Sequence, residues 1–152
     1  MDTFHLVRVE NLLTPTDFLT TMESLLVDVS GHSGRATVVV QAGEDASLAA
    51  TNLLVVTIHE VDSDSDTLAA ANLVDTMETI TAQNDATPDP IVRRTTIDLN
   101  ELTSPYIQLL LTETNTWEGE ISASIVLSGK QHTPENSVTS TDDNYKDEGG
   151  IT

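Results

Sequence analysis

Apolar and polar side chains alternate at a period of two through most of this chain, and that pattern restricts what its backbone can become. Over residues 120–128, Ile121, Ala123, Ile125 and Leu127 fall on one side. Ser122, Ser124 and Ser128 fall on the other, with Val126 the exception. Only an extended strand sends alternate residues to opposite faces, so this is a half-wet strand of an antiparallel sheet. Ile107, Leu109 and Leu111 repeat the pattern within 106–112, and Leu54, Val56 and Ile58 repeat it within 53–61. Residues 35–41 are rich in valine and threonine, with Val38 and Val40 facing one way. Residues 91–99 alternate more weakly but are β-branched, and 25–29 form a short run stopped by Gly31.

Turn-forming residues separate these runs: Ser30-Gly31-His32-Ser33-Gly34, Gly43-Glu44-Asp45, the stretch 85–90, Ser104-Pro105 and Trp117-Glu118-Gly119. Short strands spaced by turns predict an all-β fold, an antiparallel β-sandwich of jelly-roll type, and not a βαβ architecture. Two readings stay open for 68–80. Leu68, Ala71, Met77 and Ile80 fall near helical spacing behind a capping Asp66, but the stretch sits between strands, which favours an irregular connection.

The ends differ from the middle. Residues 1–20 mix apolar and polar groups without sustained alternation, as an N-terminal arm or an irregular first strand would. Residues 21–130 form the sandwich domain. In 131–152 Ser, Thr, Asn, Asp and Glu prevail, and such a tail buries too little to offset its ordering entropy unless a neighbour holds it.

Charge excludes several functions. The 152 residues carry 25 acidic and 6 basic side chains, a net −19. Nucleic-acid binding needs Lys and Arg to displace counterions from phosphate, and an anionic membrane surface repels such a chain. Carboxylate excess with few lysines suits a saline medium, where self-repulsion is screened. With no cysteine there is no disulfide, thiolate nucleophile or zinc–thiolate site. The first residues lack the basic start and apolar run of a secretion signal, and no apolar stretch is long enough to span a bilayer. A soluble product made inside a cell is expected.

No motif assembles into a catalytic site. Asp62-Ser63-Asp64-Ser65-Asp66 has the look of a calcium loop, with Asp62, Asp64 and Asp66 as weak metal-ligand candidates. An EF-hand needs glycine at its sixth position and a bidentate glutamate at its twelfth; Thr67 and Leu73 stand there, so the stretch reads as a solvated acidic turn. Gly31-His32-Ser33-Gly34 faintly resembles a nucleophile elbow, but Arg35 holds the required glycine's place and a strand follows. His5, His32, His59 and His132 are scattered, with His59 expected at a strand boundary. Trp117 is the one tryptophan, so a sugar platform could be built only around it and Glu118. Neither an enzyme nor a cofactor is expected.

From Thr21 onward the order of elements resembles a family of small β-sandwich structural proteins of tailed bacterial and archaeal viruses. The stretches that carry it are Leu26-Val27-Asp28-Val29-Ser30-Gly31, then Ala36-Thr37-Val38-Val39-Val40-Gln41-Ala42-Gly43, then 55–67 with its acidic-serine turn. Thr95-Thr96-Ile97-Asp98-Leu99, Ser104-Pro105-Tyr106-Ile107-Gln108-Leu109-Leu110-Leu111 and 121–129 follow. These are strand patterns covering about 21–130, not site signatures. The chain departs from the family where the acidic turn lacks its usual glycine after Asp66, where Val39 replaces an aromatic, and in its polar tail.

The resemblance implies a capsid decoration protein on the outer surface of a virion, made in the host cytoplasm and bound to a major capsid protein as a homotrimer. Nucleic acid and membrane are not among the expected partners. The apolar residues outside the clear strands, Phe4, Leu6, Leu12, Leu13 and Phe18, are the candidates for gripping the shell, unless they form a first core strand. The alternative is a β-sandwich module of a tail or fibre that recognises a host-surface carbohydrate.

Overall fold

The structure, a computed structural model, describes residues 7–18, 20–43, 49–82 and 90–128. Ten strands follow one another: β1 (Arg8–Asp17), β2 (Thr21–Glu23), β3 (Val27–Asp28), β4 (Arg35–Ala42), β5 (Leu53–Val61), β6 (Leu73–Thr76), β7 (Ile80–Thr81), β8 (Ile91–Asp98), β9 (Tyr106–Thr114) and β10 (Glu120–Leu127). Two short 3-10 turns, Ala70–Asn72 and Leu99–Glu101, interrupt them, and no α-helix occurs among the described residues.

The strands build two antiparallel sheets. The front sheet runs β1-β10-β4-β8; the back sheet runs β2-β9-β5-β6, with β3 also on β9 and β7 also on β5. Apart from β2–β3 and the run β5–β6–β7, each link between successive strands crosses from one sheet to the other. This is the all-β, jelly-roll-like sandwich that the alternation predicts.

Period two becomes a core because each strand turns its apolar set toward the opposite sheet. Ala36, Val38, Val40 and Ala42 of β4 pack beside Ile121, Ala123, Ile125 and Leu127 of β10. Leu54, Val56 and Ile58 of β5 and Ile107, Leu109 and Leu111 of β9 face them, and nearly all of these are fully buried. The alanines keep the front sheet thin, leaving room for the larger back-sheet side chains, as close packing requires.

The structure decides two points that the sequence leaves open. Of the arm and the irregular first strand, residues 8–17 are the strand: β1 joins the front sheet by pairing with β10 from Arg8↔Leu127 to Asp17↔Glu120. The pairing slips between Asn11 and Leu13 and again between Leu13 and Thr16. Pro15 cannot donate to a ladder, so it is tolerated only because β1 lies at an edge. The stretch 68–80 is not a helix. Its β-branched Val74, Thr76 and Ile80 lie along β5 instead, and the N–H of Met77 donates to the carbonyl of Val56 at 3.0 Å.

The remaining edges are managed by interruption and charge. The β2–β3 and β6–β7 pairs are broken strands, which present short templates to any incoming chain. β8 is continuous, but β6 and the segment after it tie down one side of it. Thr95 Oγ1 donates to Asp75 Oδ2 at 2.6 Å, and Arg93 lies 3.6 Å from Glu78.

Candidate interaction faces

The acidic turn after β5 satisfies itself. Asp66 Oδ2 accepts the backbone N–H groups of Asp62 at 2.7 Å and Ser63 at 3.1 Å, and Oδ1 accepts the Ser63 hydroxyl at 3.2 Å. Those donors hold the Asp66 carboxyl below the usual carboxylate range. The three aspartates do not converge: among the described residues no group of three or more His, Asp or Glu side chains could hold a metal ion.

The glycine turn before β4 is also structural. Gly31 and Gly34 have φ of 75° and 92°, a left-handed conformation that L side chains resist. Asp28 closes the turn by accepting the Ser30 N–H at 2.9 Å. Hydrogen bonds from Ser30, helped by the nearby positive charge of Arg8, lower its pKa. His32 is buried in this turn, and His59 is buried on the back sheet and not at a boundary. Nδ1 of His59 lies 3.0 Å from Asn72 Oδ1 and Nε2 lies 2.8 Å from Thr57 Oγ1. Asn72 also accepts the Ala69 N–H and donates to the Thr67 carbonyl, so the 3-10 turn is fastened over the imidazole.

Trp117 is only 2% exposed and belongs to the hydrophobic core. Its backbone N–H donates to Glu113 at 2.7 Å, while its indole N–H is buried without an acceptor. A ring in that position cannot stack on a sugar, which removes the platform that the carbohydrate alternative required.

The shell-contact candidates separate. Leu12, at the irregularity of β1, is fully buried, and Phe18 is buried in the same core. Both therefore stabilise the sandwich itself. Leu13 is half-buried and lines a shallow groove on the outer side of the front sheet with Asn11, Pro15, Val39 and Ser124. Phe4, Leu6 and the 131–152 tail lie outside the described residues.

An open cleft of about 440 Å³ lies between β6 and β8, with Leu73, Val74, Ile97 and Leu102 in its floor and Glu60, Asp75, Asp98 and Glu101 around it. Three of those carboxylates have structural duties. Glu60 accepts from the N–H groups of Thr103 at 2.6 Å and Ser104 at 3.0 Å, Asp75 holds Thr95, and Asp98 accepts the Asn100 N–H at 2.9 Å.

The feature that sequence reading missed is a charge pattern visible only once strand order is known. On the outward side of the front sheet, Val9, Val126, Thr37 and Thr96 form one row. Asn11, Ser124, Val39 and Arg94 form the next, and Ser122, Gln41 and Val92 a third. No carboxylate stands in these three rows, although the chain carries a net −19. The corresponding face of the back sheet is flanked by Glu23 and Asp28 and partly covered by the Asn72 turn.

No family model and no curated protein sequence matches the chain. Its fold is similar to solved structures from a virus. One is the crystal structure of the infectious bursal disease virus VP2 subviral particle, with a TM-score of 0.53 and 14% identity over 84% of this chain and 33% of that one. Another is the structure of the Gx strain of the same virus, with a TM-score of 0.51 and 14% identity over 87% of this chain and 34% of that one. This chain spans about a third of the length of those proteins, and at such identity the likeness is one of fold, a β-sandwich shared with a viral particle protein.

Proposed function

We propose that this chain is a virion structural protein that decorates and stabilises the capsid surface of a tailed virus. The observation that carries the reading is the likeness of its sandwich, over 84% of its length, to a protein solved as a subviral particle. The physical character of the surface supports it. Asp28, Glu60, Asp66 and Asp98 serve turns and caps and Asp75 ties β6 to β8, as suits a protein that binds by shape.

On this reading the partner is the major capsid protein, and copies associate as homotrimers on the outer capsid surface after synthesis in the host cytoplasm. The net charge of −19 speaks against nucleic acid or an anionic membrane as a partner and for a saline medium. No catalytic step is assigned. A carbohydrate-binding role on a tail or fibre has lost its support with the burial of Trp117.

Imaging of virions at side-chain resolution tests the proposal. Many copies of this chain on the head exterior are expected. Its absence from virions, or its presence only on the tail or in the interior, would overturn it.

A further inference from the structure

We propose that two copies of this chain meet through the outward face of the front sheet, packed sheet against sheet about a two-fold axis. Charge points to this face. Two chains of −19 repel wherever their acidic turns come together, and carboxylates cluster at the strand ends, turns and sheet edges. The three central rows of the front sheet carry none, so a second copy presenting the same rows adds no carboxylate repulsion at the centre of the contact.

Hydrophobic exposure points the same way. Of the five exposed large apolar residues among the described ones, Leu25 and Leu73 belong to the back-sheet side, while Val7 just before β1, Val9 on β1 and Val92 on β8 are 59%, 61% and 46% exposed, so apolar side chains stand in water on both flanks of the front sheet. Area decides whether that is enough. Four strands spaced about 4.8 Å apart and eight residues long cover roughly 500 Å². Two such faces bury about 1,000 Å², the lower bound for a specific interface.

The ends of the face fix the orientation. Arg35 stands at one end, beside an Asp98 carboxylate turned onto Asn100, while Asp17 and Glu120 stand at the other. Turning one copy end for end sets each Arg35 over the Asp17–Glu120 end of its partner, twice by symmetry. Arg94 lies on the edge strand and keeps its charge in water at the rim. Such a contact goes beyond the virion reading and does not rest on it. Where copies also form trimers, it joins neighbouring trimers.

The absence of cysteine makes the test direct. Ser124→Cys, at the centre of the front face, and Thr112→Cys, on the outward side of the back sheet, each supply one thiol. Packed sheets lie about 10 Å apart, so a short bismaleimide spans two facing Ser124→Cys thiols. In molar salt, covalent dimers are expected in high yield from Ser124→Cys and only at background from Thr112→Cys. A second variant, Ser124→Asp, should weaken association at least tenfold in sedimentation equilibrium with an unchanged thermal midpoint. Equal cross-linking at both positions, no cross-linking at Ser124→Cys, or association unaffected by Ser124→Asp would each overturn the proposal.

Discussion

The Ser24 hydroxyl accepts the backbone N–H of Leu109 at 2.8 Å, while the Ser24 N–H donates to the Leu109 carbonyl at 3.0 Å. Both residues are buried, and they bridge the gap between β2 and β3 where the edge strand would otherwise lose its ladder. Gln108 adds a third tie by donating to the Ser24 carbonyl at 2.9 Å. Ser24→Ala strands a buried amide and should cost about 1–3 kcal/mol. Urea unfolding followed by Trp117 fluorescence measures it, and an unchanged midpoint would refute the bridge. Leu109→Asp puts an unpaired charge in the same place and should cost several kcal/mol, enough to unfold a marginal domain.

Gly119 is required for lack of space. A Cβ there would stand 2.2 Å from the Gly43 carbonyl oxygen and 3.0 Å from the Trp117 indole nitrogen. Backbone cannot yield as a flexible side chain does, so Gly119→Ala should destabilise by roughly 1–3 kcal/mol, as overpacking does. A thermal midpoint equal to that of the parent protein would show that the turn before β10 shifts freely.

Acid should loosen two turns. Asp28 and Asp66 have folded pKa values below their ordinary value of 3.8, held down by hydrogen bonds from Ser30 and from Asp62 and Ser63 respectively. A carboxyl with a depressed folded pKa stabilises the fold above its unfolded pKa. That contribution is lost as pH falls through the folded value, here below about pH 4. Asp28→Asn and Asp66→Asn should therefore lower the unfolding midpoint at neutral pH and flatten its decline in acid. An acid slope identical to that of the parent would assign the loss to other groups.

Salt should strengthen association between copies. At about 10 mM salt the Debye length is about 30 Å and repulsion acts across a whole domain; at 1 M it is about 3 Å and apolar burial dominates. Sedimentation of the isolated protein across that range should show tighter association at high salt. The opposite trend would point to ionic attachment between copies.

The strands of the core were legible in sequence because each buries one face, and alternation reports burial directly. Leu54, Val56, Ile107, Leu109, Ile121 and Leu127 all lie where period two puts them. β1 was harder to read because its two slips break the alternation around Leu12 and Leu13. The burial of Trp117 and of His59 is not legible in the alternation, and that of His59 depends on the 3-10 turn that Asn72 fastens over its imidazole. The carboxylate-free face could not be read at all: Val9, Val126, Thr37 and Thr96 become one row only through the order β1-β10-β4-β8.

That strand order also governs how the molecule comes into being. β10 lies between β1 and β4, so the first strand of the front sheet has no ladder partner until β10 has left the ribosome, and only the Leu25 N–H, which donates to the Leu12 carbonyl at 2.8 Å, can tie it down earlier. β4 can meet β8 earlier, but the two-stranded ribbon they form has nothing to close its other edge. In the front sheet no strand pairs with its neighbour in sequence, so distant segments must be ordered first, which makes folding slow, and meanwhile β1 and the free edge of β4 wait exposed. A nascent chain stalled before Glu120 should therefore be a substrate for chaperones and proteases, and β10, eight residues long and the last strand among the described residues, acts as the keystone that commits the strands before it to their fold.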